Sequence, residues 1–200
     1  MARPRAQDYA EKRESILRHA ASLIARHGYT ATSISMIAEA CGISKALLYH
    51  YYPDKEALLF DILHAHLQHL VGRVEAVAAT APQGEQRLQA FGETLLDAYR
   101  DAHDQHQIQI ANLPLLPQDR QAILRALERR IVDAVAASIR AALPDIAASA
   151  SLMPLTMSWF GMLNWHYLWF REGRGLTRAE CARMFSRLIV AGGYAAVSAA

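Results

Sequence analysis

The stretch SKALLYHYYPDK, residues 44–55, concentrates hydrogen-bond donors at helical spacing: Ser44, Lys45, Tyr49, His50, Tyr51 and Lys55. Just upstream, Thr32 and Ser33 add two hydroxyls. Hydroxyl and ammonium groups of this kind suit the free oxygens of a phosphate backbone, which position a protein on a duplex without reading its sequence. Ala46 is small enough to touch a thymine methyl, and Lys45 or His50 can approach a guanine edge. The chemistry implied is recognition of DNA by contact, with no bond made or broken.

Other constellations carry less. His66 with His69, and His103 with His106, are spaced i, i+3, with Asp61, Asp97, Asp101 and Asp104 nearby in sequence. Neither pair comes with the Glu-x-x-His pattern of a carboxylate-bridged bundle, so no metal and no cofactor is expected. A Gly-rich phosphate loop and a Gly-x-Ser-x-Gly elbow are both missing, and Cys41 and Cys181 have no obvious histidine partner, which argues against an enzyme. Two cysteines are too few for a disulfide framework, and a reducing cytoplasm is the expected compartment. The opening MARPRAQDYAEKRES has positive charge but no apolar run behind it, so no signal peptide is expected. Residues 151–170 run twenty positions without a formal charge, about a bilayer's thickness as a helix. Pro154, Ser158, Asn164 and His166 within that run favour a buried or subunit-interface helix over a membrane span.

The donors need a frame to hold them. With 52% apolar and 20% charged residues, and few β-branched ones, the 200-residue chain reads as an all-α globular protein. Periodicity and capping signals divide it into about nine helices: 8–27, 33–40, 45–52, 54–78, 85–102, 103–113, 120–143, 151–172 and 177–197. The second helix is cut at Cys41-Gly42 and the third restarts at once, capped by Ser44. Helices this short are marginal alone, so the break serves to aim one of them. Counting from Ile34, a small residue stands fifth (Ala38), glycine ninth (Gly42), and apolar residues tenth (Ile43) and fifteenth (Leu48). Two steeply crossed helices need these residues for close contact, tight turn and locking side chains, which makes the unit a helix-turn-helix. Its second helix lies in a major groove and its first over the backbone. Charge agrees: the whole net charge of +2 resides in residues 1–60, where eight Lys/Arg face six acids.

The run GISKALLYHYYPDKEALL, with AASLIARHGYTATSISMIAEACGIS before it, closely resembles the TetR family of bacterial repressors over about residues 13–60. The resemblance implies a DNA-binding head, residues 1–55, carried on a ligand-binding and dimerisation body, residues 56–200. It also implies that Thr32, Ser33, Tyr49 and Lys55 contact phosphates and that Lys45, Ala46 and His50 read bases. Tyr52 stands where the family usually has phenylalanine and is expected to pack. Ser35 and Met36 depart from the charged or polar residues of many members.

Bodies of this family usually bind a small molecule and pair through their last two helices. Here those helices carry MSWFGMLNWHYLWF and RMFSRLIVAGGYAA, where Gly161, Gly192 and Gly193 permit close approach across a two-fold axis. Their aromatics either supply the area of a homodimer interface or fill the core of one subunit. FGMLNWHYLWFREGRGLT is similar to the corresponding stretch of members that respond to coenzyme A thioesters, the phenylacetate-degradation repressors among them. For a body of that kind, helical phase puts an acyl or aryl group among Leu95, Tyr99, Ile110, Phe160 and Leu163, with nucleotide phosphates near Arg100 or Arg125. The expected activity is therefore repression from a palindromic operator, relieved by a small-molecule inducer such as an acyl- or aryl-CoA. An activator with the same head, or a helical protein-interaction module, is the alternative, although the module leaves the Lys and Tyr pattern of residues 44–55 unexplained.

Overall fold

The computed structural model describes residues 3–146 and 150–198. The described residues are all-α: α1 (Arg3–His27), α2 (Ile34–Ala40), α3 (Lys45–Tyr51), α4 (Lys55–Thr80), α5 (Glu85–Asp101), α6 (His103–Asn112), α7 (Gln118–Ala142), α8 (Leu152–Asn164), α9 (His166–Trp169) and α10 (Arg178–Ser198). Short 3-10 turns at Leu113–Leu115 and Pro144–Ile146 flank α7. Most boundaries fall close to those read from sequence, but the expected helix 151–172 is divided. Trp165 ends α8, its N–H donating to Gly161 O at 3.2 Å, and the single turn α9 follows. The split lets His166 turn into the core beside Phe170 while Trp165 is left outside. Among the described residues no helix is long and apolar enough to cross a membrane.

The chain forms two compact units. The first comprises Met1–Leu67 and Ala102–Arg125. Within it α1 packs on α2 and α6, and α2 on α3. Ile16, Ala20, Ile24, Ile37, Leu48, Leu58, Leu59, Ile62 and Leu63 build its core, at spacings that leave one apolar face per helix. Each fully buried leucine or isoleucine contributes about 1.5–3 kcal/mol of transfer free energy, which is what makes seven-residue helices such as α2 and α3 persist. The α1–α6 packing brings residues 102–125 into the same unit as the head, a partnership that helical periodicity does not encode.

The second unit comprises Gln68–Asp101 and Ala126–Ala200. There α10 runs against α5 and α8. Its start is fixed by a reciprocal cap: Thr177 N donates to Glu180 Oε2 at 2.8 Å, and Glu180 N donates to Thr177 Oγ1 at 3.2 Å. Gly92 on α5 allows the closest approach, since a Cβ there would lie 3.0 Å from Ala182 Cβ and 3.4 Å from Trp159 Cζ2. Trp159, Phe160 and Leu163 are buried, whereas Met157, Trp165, Leu168, Trp169 and Leu188 are exposed. Of the aromatics in the last helices, Trp159 and Phe160 therefore fill the core, while Trp165 and Trp169 are left on the surface.

The histidine pairs also divide. His66 and His106 are buried and their rings lie 6.1 Å apart, while His69 and His103 are exposed. Among the described residues no group of three or more His, Cys, Asp or Glu side chains is arranged to hold a metal ion.

Candidate nucleic-acid interface

The turn between α2 and α3 is built by backbone hydrogen bonds. Gly42 N donates to Glu39 O at 3.0 Å and Ile43 N to Ala38 O at 3.0 Å, the paired bonds that close a helix through a left-handed residue. Gly42 supplies that residue, with φ +63°. Ser44 then caps α3, its Oγ accepting from Leu47 N at 3.1 Å, and Ser33 caps α2 by accepting from Met36 N at 3.2 Å. Both serine residues are exposed.

Helix α3 is anchored by Leu48, with no exposed surface, and by Tyr52 just beyond its end. What remains outside is Lys45, Ala46, Leu47, Tyr49 and His50. Lys45, Ala46, Tyr49 and His50, all singled out in the sequence, are thus left on the outside of one short helix by the burial of Leu48. Lys45 Nζ lies 5.9 Å from the Tyr49 ring centroid, one turn along. Tyr51 is half-buried because its ring stacks on Tyr9 of α1, centroids 4.7 Å apart, and it meets His50 edge-on at 5.9 Å. Sequence reasoning did not single out Tyr9, which lies more than forty residues away and outside the motif.

Two expected phosphate contacts are placed differently. Thr32 is buried, its hydroxyl donating to Gly28 O at 2.9 Å and to Leu23 O at 3.3 Å. Lys55 turns its ammonium onto the backbone before α2, donating to Tyr29 O at 2.7 Å, Thr32 O at 2.9 Å and Thr30 O at 3.4 Å, with Nζ 4.3 Å from the Tyr29 ring centroid. The physical reason is the turn that follows α1: the Tyr29, Thr30 and Thr32 carbonyls lie outside any helix, and a cation is the strongest donor available to them. Both side chains hold the approach to α2 and offer no free donor.

In the second unit Leu95, Tyr99, Phe160 and Leu163 are all buried. Burial, and next the charge of Glu128, raises the Tyr99 hydroxyl well above its usual range, so it stays protonated. Arg100 is exposed and bound to acids on its own helix, donating to Asp101 Oδ1 at 2.7 Å and Asp97 Oδ1 at 3.2 Å. Ile110 and Arg125 belong to the first unit; Ile110 is 40% exposed, and Arg125 donates to Gln121 Oε1 at 2.9 Å. Of the seven residues expected around a ligand, four are thus buried in the second unit, while Arg100, Ile110 and Arg125 are exposed. A cleft of about 240 Å³ that helical phase did not indicate is lined by Trp169, Phe170, Arg171, Arg174, Leu176 and Met184.

An all-α head with a tight left-handed turn, a buried locking face and a short outer helix of Lys, Tyr and His defines a DNA-binding protein of the helix-turn-helix class. The chain belongs to the tetR family of bacterial regulatory proteins: residues 16–62 match that family, and residues 81–193 match the tetracycline repressor-like C-terminal domain. A TetR-family transcriptional regulator from Bordetella parapertussis 12822 is 34% identical, covers 88% of this chain and 93% of its own, and superposes with a TM-score of 0.82. AibR, solved in complex with isovaleryl coenzyme A and operator DNA, is 26% identical over 88% of this chain and 97% of its own, with a TM-score of 0.77. The repressor KstR2 of Rhodococcus jostii (strain RHA1) is 33% identical over 106 residues, 52% of each chain. The match thus spans about half the length of such curated relatives.

Proposed function

We propose that this chain is a homodimeric transcriptional repressor that binds a palindromic operator and is released by a coenzyme A thioester. The observation that carries the DNA half is the exposed row Lys45, Ala46, Tyr49 and His50 on a helix whose other face is locked by Leu48 and aimed by Gly42. Residues 1–55 read the operator; Ser33, Ser44 and Tyr49 meet phosphates, and Lys45, Ala46 and His50 meet base edges. Residues 56–200 bind the inducer and pair the subunits.

The homodimer is supported by the large apolar side chains Met157, Trp165, Leu168, Trp169 and Leu188 left exposed in the second unit, since exposed apolar surface of this kind marks interaction sites. Thioester sensing is supported by the likeness to AibR, whose structure holds isovaleryl coenzyme A. The buried set Leu95, Tyr99, Phe160 and Leu163 offers the apolar surroundings an acyl or aryl group needs, and the cleft with Arg171 and Arg174 offers cations for phosphates.

The test is a fluorescence-anisotropy titration on the DNA flanking the protein's own gene, over a salt series, with and without a panel of acyl- and aryl-CoA thioesters. Specific binding that weakens with salt and is relieved by one thioester is expected. Binding that no thioester relieves leaves a repressor of a different inducer, and binding to no fragment removes the DNA-reading role.

A further inference from the structure

The end of the recognition helix is gripped by a polar cluster on its protein side. Arg13 on α1 donates through Nη2 to Asp61 Oδ2 on α4 at 2.6 Å, and both side chains are partly exposed, at 42% and 24%. Tyr52, the residue that ends α3, is buried against them. Its Oη makes no well-aligned hydrogen bond, yet burial and then the Asp61 carboxylate hold it strongly protonated, while the Arg13 guanidinium acts in the opposite sense. The raised Arg13 guanidinium reflects the same neighbours, its bond to Asp61 and the nearby Tyr52 and Tyr9 outweighing partial burial. One residue earlier, Tyr51 stacks on Tyr9 of α1. Three helices thus meet at the last turn of α3, where Arg13 and Asp61 form an ion pair.

An ion pair this exposed contributes little to stability, because solvent screens it and two long side chains must be ordered to make it. Its consequence is geometric. Helix α3 has two turns, so its direction is set by how its two ends are held: Ser44 and Gly42 at the start, Tyr51 and Tyr52 at the finish. We infer that Arg13 and Asp61 are positioning residues for sequence reading, clamping α1 and α4 around Tyr52 so that Lys45, Ala46 and His50 present to base edges at a fixed angle. The inference rests on the DNA-reading role proposed above. It adds two residues that touch no DNA yet govern specificity.

The sign of the effect separates positioning from simple electrostatics. Asp61→Asn removes a negative charge beside the DNA-binding head, which by Coulomb attraction to phosphate alone tightens binding to every duplex. Positioning requires the opposite on the specific site. The experiment uses full-length protein and an operator that the wild type selects from a random duplex pool, with a scrambled duplex of equal length as the non-specific reference. Asp61→Asn is expected to lose at least about tenfold in operator affinity, the scale of one mis-set base contact, while scrambled-DNA affinity is unchanged or higher and the thermal midpoint shifts little. The exchanged pair Arg13→Asp with Asp61→Arg is expected to recover most of the operator affinity. If Asp61→Asn does not fold, Arg13→Gln carries the test: a fall in the ratio of operator to scrambled affinity supports positioning, and equal losses on both duplexes overturn it. Operator binding by Asp61→Asn as tight as wild type or tighter, or an exchanged pair as weak as the single variants, also overturns it. A wild type that enriches no sequence removes the DNA-reading role itself, a result distinct from either.

Discussion

At the residue scale, two lysines of one motif do different work. Lys45 is exposed on α3, whereas the Lys55 ammonium is held by three backbone carbonyls. Lys45→Ala is expected to leave the unfolding free energy from a urea melt within about 0.5 kcal/mol, as for other surface changes, and to weaken DNA binding with relaxed preference at one base pair. Lys55→Met keeps the stem but strands those carbonyls, and a loss of about 1–3 kcal/mol in unfolding free energy is expected from the same melt. His166 gives a pH effect. Burial first, and then the Arg178 charge, against a smaller opposing effect of Glu172, lowers its pKa from 6.5 to about 4. A depressed pKa means the unfolded chain binds the proton first as pH falls. His166 therefore contributes stability that is complete above pH 6.5 and lost as pH falls through about 4. Thermal midpoints measured across that window are expected to fall with acid in the wild type and to fall less in His166→Gln; parallel curves for the two proteins count against the assignment.

At the element scale, the packing of α5 on α10 depends on the missing side chain of Gly92. An alanine there brings its Cβ to 3.0 Å from that of Ala182, closer than the pair can settle without one helix moving. Gly92→Ala is expected to cost about 1–3 kcal/mol in a chemical melt, the range for an overpacked core, and adding Ala182→Gly is expected to recover part of it. Additive losses in the double variant count against a direct clash. Elements differ in how far they were legible. The α2–α3 turn was readable because its causes are local: Gly42 must be left-handed, Ser44 must cap, and Ala38, Ile43 and Leu48 follow from the crossing. Thr177 capping α10 was readable for the same reason. The inward turn of Thr32 and Lys55 was not, because it is decided by where the carbonyls of the turn after α1 end up, and the Arg13–Asp61 pair joins residues 48 apart in sequence. The division of 151–172 at Trp165 escaped notice because helical periodicity cannot say which of several neighbouring aromatics the core will accept.

At the scale of the whole molecule, the question is why a regulator leaves Trp169 at 54% exposure and Leu188 at 56%. Exposed tryptophan and leucine on neighbouring elements cost solubility unless something covers them, and under the proposed function the occupant is a second copy of the chain. One head offers a single short helix to one groove, while two heads related by a two-fold axis read half-sites about 34–36 Å apart and add their phosphate contacts. Dimerisation and operator affinity are then linked, so breaking the first must weaken the second without touching α3. Trp169→Glu with Leu188→Glu places like charges on both sides of such an interface. Sedimentation is expected to show a dimer for the wild type and a monomer for this variant, with helical content by circular dichroism unchanged. The salt series adds an independent reading, because the slope of log affinity against log salt is about −0.9 per phosphate contacted. A monomer that still binds through one head is expected to give about half the wild-type slope, whereas a variant that remains dimeric assigns these exposed side chains to a different partner, and a monomer with the full slope breaks the proposed link between dimerisation and phosphate contacts.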